Sequence, residues 1–188
     1  MKIVQAIFPE YFAKEPVRPT DRYIEYPFVL KNISKPPKRI LDVGCSGSMF
    51  PLLLKALGYE VMGIDIRPYQ MCDEIAFTQS DITSSQLPDN FFDVVTAIST
   101  IEHIGLKNRY GVKYVDDEKA IKEIRRILKP NGIFLMTVPF GDKFKVTKNH
   151  RIYTAENLNY MLRNFLSNYE TIPSPEDNYY IALIKATK

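Results

Sequence analysis

The sequence lacks several features that would each point to a particular class of protein. Its 188 residues include no tryptophan and only two cysteines, Cys45 and Cys72, and the net charge is only +3. Two cysteines are too few for a disulfide framework and favour free thiols in a reducing compartment. So small a charge gives no basis for nucleic-acid binding. Residues 1–12 hold only a short apolar run interrupted by Pro9 and Glu10, and no run approaches the length of a membrane span. These absences favour a globular, cytoplasmic protein.

Prolines set the N-terminal segment apart from the rest of the chain. Six of them lie within residues 1–38, and between them residues 21–33 have the composition of a helix. We therefore expect residues 1–38 to form a helical cap segment over a single domain formed by residues 39–188. Tyr23 is then expected to face the pocket beneath the cap. The alternative is that this helix packs its apolar face on the sheet.

From residue 39 onwards, apolar β-type runs alternate with helical segments. Strands joined by helices imply parallel pairing, and the last two strands, joined by residues 173–177, imply one antiparallel strand near an edge. The fold class is therefore α/β. We expect strands at residues 40–43, 60–64, 75–79, 92–98, 132–139, 169–172 and 179–187, and helices at 50–57, 117–128 and 154–165.

A glycine-rich turn follows the first of these strands, where Asp42 precedes Gly44 and Gly47. Strand, tight glycine turn and helix together allow the backbone to approach a ligand closely. A carboxylate at the head of the turn would repel a pyrophosphate, but it can bind an ammonium group or hold the amides of the turn. The missing G-x-G-x-x-G spacing also argues against a nicotinamide dehydrogenase. The turn therefore predicts a cationic, phosphate-free ligand.

Acidic residues end the next two strands. Asp65 follows Gly44 by 21 residues, a spacing at which a carboxylate can accept hydrogen bonds from a ribose diol. Asp81 is placed to accept from an adenine amino group, with Ile82 packing on the ring. Each acid taken singly also fits a role in capping the next turn. Because strand ends meet at one edge of a parallel sheet, the set predicts a single nucleoside site.

These motifs resemble those of class I S-adenosylmethionine-dependent methyltransferases. Residues 41–47 resemble motif I, residues 63–65 the ribose motif, residues 80–82 the adenine motif, and residues 101–104 the family's "EH" signature, while residues 127–132 resemble its "LKPGG" turn. Ser48 departs from motif I, where a third glycine is common. The resemblance implies a Rossmann-like fold, with a seven-stranded mostly parallel sheet, an antiparallel last strand and helices on both faces. It also implies S-adenosylmethionine as the cofactor, bound by Asp42, Gly44, Cys45, Ser46, Gly47, Asp65, Ile66, Asp81, Ile82 and Ser99.

Two neighbouring residues after the fourth strand are the candidates for catalysis. His103 can take a proton near neutral pH, and Glu102 can assist it or brace the cofactor-side loop. The alternative is that His103 is simply hydrogen-bonded to a neighbouring loop. Some methyltransferases of phenolic acceptors bind a divalent ion with Glu-x-x-Glu-His, but here Ser99 takes the place of the first glutamate. We therefore predict no metal.

The acceptor side is expected at the N-terminal segment and at the basic loop of residues 143–151. His150 and Arg151 in that loop are predicted to bind the substrate with Tyr23, although a merely solvated basic loop is equally consistent with the pattern. Residues 99–111 also resemble a subgroup linked to polysaccharide and glycolipid biosynthesis. The predicted function is methyl transfer to a small-molecule or glycan-type acceptor, at oxygen. The alternative is a catalytically degenerate binding or regulatory protein.

Overall fold

The computed structural model describes residues 20–106 and 117–188. Over these ranges the chain forms a seven-stranded sheet with the order β3-β2-β1-β4-β5-β9-β8. The strands are β1 Arg39–Val43, β2 Glu60–Asp65, β3 Ala76–Gln79, β4 Phe92–Ile98, β5 Leu128–Phe140, β8 Leu166–Pro173 and β9 Tyr180–Thr187. A separate two-stranded hairpin consists of β6 Lys145–Val146 and β7 Arg151–Ile152.

Strand directions agree with the sequence prediction. β1 to β5 pair in parallel, whereas β9 runs antiparallel between β5 and β8, and β8 forms the edge. The order of the strands changes direction between β1 and β4: β2 and β3 follow on one side of β1, and β4 and β5 follow on the other. In such sheets ligands bind outside the carboxyl ends of the strands at this switch point.

Helices cover both faces of the sheet, as predicted. α1 (Arg22–Asn32) and α2 (Phe50–Ala56) bury Phe28, Val29, Phe50 and Leu54 against one face. α3 (Asp117–Ile127) and α4 (Ala155–Met161) pack on the other face, where α3 buries Ala120, Ile121, Ile124 and Ile127. α4 begins at a capping box in which Thr154 and Asn157 bond each other's backbone amides.

The structure differs from prediction around the helix-ending turn. Residues 129–132 were expected to form a turn between α3 and the fifth strand, yet they lie within β5. Phe92 pairs with Leu128 and Val94 with Ile133, so the intervening residues form an irregularity in the ladder. Asn131 takes up the bend with a φ of 62°. α4 ends at Met161 and not at residue 165, and β8 begins at Leu166, earlier than expected.

Of the predicted cap segment, the structure describes the part from Thr20 onwards. There α1 packs on the sheet through Phe28 and Val29, which is the alternative arrangement given above. Tyr23 is 54% exposed. Residues 1–19 lie outside the described ranges, so a cap formed by residues 1–38 stays a prediction.

Candidate active site

A cavity of about 260 Å³ opens at the carboxyl ends of β1, β2 and β4. It lies where the sequence predicts the ligand site, and residues from five separate parts of the chain meet there. The predicted residues among its lining are Gly44, Ser46, Asp65, Ile66, Asp81, Ile82, Ser99 and His103. Arg22, Arg67 and Thr100 also line it and were not predicted.

The two glycines of the turn share one backbone conformation but have different surroundings. Gly44 and Gly47 both have a φ of +79°, which disfavours any side chain. A Cβ on Gly44 would lie 2.4 Å from the Thr100 side chain, whereas a Cβ on Gly47 would meet no atom within 4 Å. Gly44 is therefore required both by conformation and by close packing, and Gly47 by conformation alone.

Ser48, the departure from motif I, has a structural role at the start of α2. Its Oγ accepts from the Phe50 amide at 3.1 Å and lies 3.3 Å from the hydroxyl oxygen of Tyr26. Its carbonyl oxygen accepts from the Tyr69 hydroxyl at 3.1 Å. The serine side chain at this position therefore adds contacts to Phe50 and Tyr26 that a glycine could not make.

Asp42 is buried beneath the turn and outside the cavity lining, with only 3% of its surface exposed. Thr96 Oγ1 donates to Asp42 Oδ1 at 2.6 Å. Burial raises the pKa of the Asp42 carboxyl to about 7, the Thr96 hydrogen bond and Arg22 oppose the rise, and Asp65 adds to it. This arrangement favours the indirect role, in which Asp42 acts through the geometry of the turn.

Cys45 is also buried, and its sulfur is directed at the second strand. A Cβ built on Gly63 would lie 2.6 Å from Cys45 Sγ, so the two residues pack in close contact. Burial raises the pKa of the Cys45 thiol well above its usual range. Any contribution of Cys45 to ligand binding is therefore made by its backbone.

Asp65 and Asp81 form what we call the acidic end of the cavity. Asp65 Oδ2 accepts from the Ser46 amide at 2.8 Å and Oδ1 from the Arg67 amide at 2.9 Å, which ties the second strand to the glycine turn. Asp81 Oδ1 accepts from both the amide and the hydroxyl of Thr83 at 2.8 Å. Both carboxylates thus cap turns and also line the cavity, so the capping role and the ligand-binding role considered from the sequence are compatible.

The opposite side of the cavity, the arginine end, is defined by Arg22, Glu25 and Ser99. Glu25 is fully buried, and its Oε1 accepts from Ser99 Oγ and from Thr137 Oγ1, each at 2.5 Å. Arg22 Nη1 donates to Glu25 Oε2. Ser99 has a φ of 45°, a strained value for serine, and Glu25 holds it there. Apart from their i, i+3 spacing, nothing in the sequence pointed to Arg22 or Glu25 as site residues.

Glu102 and His103 lie in a short turn after β4. His103 lines the cavity, and its Nδ1 is 2.7 Å from the backbone oxygen of Asn149. Because a carbonyl oxygen only accepts, Nδ1 carries the proton, and Nε2 of the neutral ring is the basic nitrogen. Nε2 is 3.7 Å from Oε1 of Glu102, which is buried. The predicted hydrogen bond to a neighbouring loop is therefore present.

The three predicted acceptor residues lie outside the cavity lining. Arg151 donates to the carbonyl oxygens of Glu102 and Ile104, at 3.3 and 2.6 Å, and its Nε is 3.6 Å from Asp117. It thus braces the turn that carries Glu102 and His103. The His150 ring meets the Tyr179 ring at a centroid distance of 5.6 Å. Substrate binding by Tyr23, His150 and Arg151 stays a prediction.

The comparisons with known proteins agree with this geometry. A family model described as a methyltransferase domain matches residues 41–136, just over half of the chain. The chain belongs to the class I S-adenosylmethionine-dependent methyltransferase family. The matched residues include the glycine turn, Asp65, Asp81, Glu102 and His103. Within the described ranges, no helix is long and apolar enough to cross a membrane.

Curated relatives of this methyltransferase-family chain act on different acceptors. Sterol 24-C-methyltransferase ERG6B of Gibberella zeae is 35% identical over 114 residues, which is 53% of this chain and 27% of that protein. A ubiquinone biosynthesis O-methyltransferase of Pseudomonas aeruginosa is 29% identical over 113 residues, which is 54% of this chain and 44% of that protein. The chain thus spans less than half the length of these two relatives.

Solved structures share the fold of this methyltransferase-family chain at low identity. A 1,6-didemethyltoxoflavin-N1-methyltransferase of Burkholderia thailandensis superimposes with a TM-score of 0.68 at 16% identity, covering 88% of this chain and 76% of that one. The [4+2]-cyclase SpnF superimposes with a TM-score of 0.67 at 19% identity, covering 87% and 79%. The predictions of a class I methyltransferase and of its Rossmann-like fold are confirmed.

Proposed function

We propose that this protein transfers a methyl group from S-adenosylmethionine to a hydroxyl oxygen of a small-molecule acceptor. The observation that carries the proposal is the shared cavity, which brings the acidic end and the basic nitrogen of His103 into one lining. A nucleoside-binding end and a proton-accepting group in one cavity are what such a reaction requires.

The residues present fit the cofactor. Asp65 and Asp81 offer carboxylates to a ribose and an adenine, and Ile66 and Ile82 offer apolar surface to the ring between them. Gly44 lines the same cavity and presents only backbone atoms to a ligand. When bound, S-adenosylmethionine supplies an electrophilic methyl group on a sulfonium centre. The protein's contribution is to hold the acceptor in line with that group.

His103 serves in this proposal as the general base. Nε2 takes the proton of the acceptor hydroxyl, and Glu102 faces the imidazolium that forms. Nδ1 keeps its proton throughout, because Asn149 holds it. A base of this kind is needed for an oxygen acceptor, and it contributes about 10²–10⁴-fold to the rate. This requirement is the reason for preferring oxygen over carbon.

The acceptor class rests on the relatives. Those named above act on a sterol and in ubiquinone biosynthesis, at carbon in one case and at oxygen in the other. Both names point to small molecules, which supports a small-molecule acceptor here. The glycan-type acceptor rests on residues 99–111, of which 107–111 lie outside the described ranges.

The test is calorimetric binding of S-adenosylhomocysteine, followed by transfer of labelled methyl groups to a panel of phenols, alcohols and saccharides. His103→Gln should keep S-adenosylhomocysteine affinity and lower kcat by about 10²-fold or more. Lys119→Gln, which changes an exposed residue of α3 outside the cavity lining, is the control and should retain most of the activity. Absence of S-adenosylhomocysteine binding in the wild-type protein would contradict the proposal.

A second candidate function is a methyltransferase fold that binds the cofactor without transferring its methyl group. The observation that favours it is the similarity to SpnF, which is described as a cyclase. Fold alone therefore does not determine the reaction. Tight S-adenosylhomocysteine binding with no methyl transfer to any acceptor in the panel would favour this candidate.

A further inference from the structure

Helix α1 places an arginine in the cavity although it lies outside the region that the methyltransferase family model matches. The model begins at residue 41, whereas Arg22 is in the first turn of α1. Arg22 lines the same cavity as Asp65 and Asp81. Its side chain is 43% exposed, so the guanidinium is accessible to a ligand.

The position of Arg22 is fixed from below by Glu25. That carboxylate is fully buried and also holds Ser99 of the β4 end and Thr137 of β5. Burying a charge is costly, and an apolar residue of similar size would pack at this point of α1 with less expense in free energy. The network therefore serves to orient Arg22 and Ser99 toward the cavity.

The pair with Glu25 leaves most of the donors of Arg22 for a ligand. A guanidinium carries five N–H groups in a rigid fork that matches a carboxylate, and Nη1 makes one bond to Glu25 Oε2. Across the cavity, Asp65 and Asp81 are both acidic. One end of the cavity thus presents the carboxylates of Asp65 and Asp81, with Arg67 paired to Asp65, and the other end presents the Arg22 guanidinium. This arrangement suits a ligand with a nucleoside at one end and a carboxylate at the other.

We propose that Arg22, oriented by the buried Glu25, binds the carboxylate at the amino-acid end of the cofactor. The inference rests on the proposed cofactor but goes beyond the motifs that predicted it. Glu25 is a positioning residue in this arrangement, since it acts through Arg22. The same chemistry is available from an acceptor that carries a carboxylate, and the experiment separates the two sources.

The experiment compares two ligands that differ only at this end. S-adenosylhomocysteine carries the amino acid, whereas methylthioadenosine keeps the adenosine and the thioether and lacks the amino acid. Affinities are measured by calorimetry for the wild-type chain, Arg22→Gln, Glu25→Gln and Arg67→Gln. Arg67 lines the same cavity at the acidic end, so its variant is the matched control. Thermal unfolding of each variant shows that it is folded.

Arg22→Gln should weaken S-adenosylhomocysteine by about 10–100-fold and leave methylthioadenosine within about twofold of the wild type. Glu25→Gln should weaken S-adenosylhomocysteine by about 10-fold with the same selectivity. Arg67→Gln should change both ligands by the same factor.

Three results would overturn the inference. Equal weakening of both ligands by Arg22→Gln would mean that Arg22 only maintains the shape of the cavity. Unchanged S-adenosylhomocysteine affinity with a raised KM for an acidic acceptor would assign the carboxylate to the acceptor. Binding of neither ligand by the wild-type chain would overturn the proposed function itself, and the inference with it.

Discussion

The two ends of the cavity are built in different ways. At the acidic end, Asp65 ends β2 and Asp81 follows β3 by two residues, so each is placed by the strand that it follows. At the arginine end, Glu25 of α1 bonds Ser99 and Thr137, which are 74 and 112 residues away along the chain. The acidic end is formed by residues at the ends of strands, whereas the arginine end forms only when α1 packs on the sheet. The comparison predicts that the two ends respond differently to mutation.

The largest effect is expected at the turn that both ends share. Gly44→Ala should lower the free energy of unfolding by about 4 kcal/mol, because it adds backbone strain to a collision with Thr100. Gly47→Ala, with the same φ and open space around its Cβ, should lose only about 1–2 kcal/mol. Denaturant unfolding measures both. Equal losses in the two variants would show that the collision with Thr100 has no energetic weight.

The next effect separates the ends by ligand. Asp65→Ala should raise the Kd of both S-adenosylhomocysteine and methylthioadenosine by about 100-fold, or about 2.7 kcal/mol, because both ligands carry the ribose. Arg22→Gln, in contrast, should affect only the first ligand. Asp73→Ala removes an exposed carboxylate nearby and serves as the control. If Asp65→Ala spared methylthioadenosine, the assignment of the acidic end to the nucleoside would be wrong.

The next prediction concerns the pH dependence of stability and involves both ends of the cavity. Arg22 lowers the pKa of the buried Asp42, whereas Asp65 raises it. The folded-state pKa of Asp42, about 7, lies above the ordinary aspartate value of 3.8. The folded protein then holds a proton that the unfolded chain has lost. The free energy of unfolding should therefore fall by about 2 kcal/mol between pH 5 and pH 7 relative to Asp42→Asn, and level off above pH 7.

Denaturant unfolding of the wild type and of Asp42→Asn over this pH range tests that expectation. Asparagine is close to aspartate in shape and keeps an acceptor for the Thr96 hydroxyl. In an Arg22→Gln background the downward slope should extend to higher pH, because the opposing cation is gone. Parallel curves for the wild type and Asp42→Asn would show that Asp42 is ionised throughout.

The smallest effect is expected at Ser48, which belongs to neither end. Ser48→Ala should lower the free energy of unfolding by about 1 kcal/mol, since the Phe50 amide loses its side-chain acceptor at the start of α2. Affinity for both ligands should stay within about twofold of the wild type. Thermal unfolding and calorimetry measure the two quantities. A large loss of affinity would mean that this position contacts the ligand as well.

Features that depend on neighbouring residues could be predicted from the sequence. The glycine turn, the acids at the strand ends and the helix over residues 117–128 are all local patterns. The burial of Glu25 could not be predicted, because an acid within a helix is ordinarily solvent-exposed and only the packing of α1 against β5 buries this one. The hydrogen bonds from Arg151 to the backbone of the turn that carries Glu102 and His103 could not be predicted either, since a basic residue in a loop looks the same in the sequence whether or not it is bonded. The irregularity in β5 arises from pairing with β4, which residues 129–132 alone do not specify.

The hydrogen bond that fixes the proton of His103 is made to a main-chain oxygen, that of residue 149. Every amino acid offers this atom, so a substitution of Asn149 that preserves the path of the loop leaves the partner of Nδ1 in place. The side chains of this loop can therefore change over evolution while the histidine keeps the same tautomer. In the proposed reaction, the loop that is predicted to bind the acceptor can thus diverge without altering the chemistry of the base.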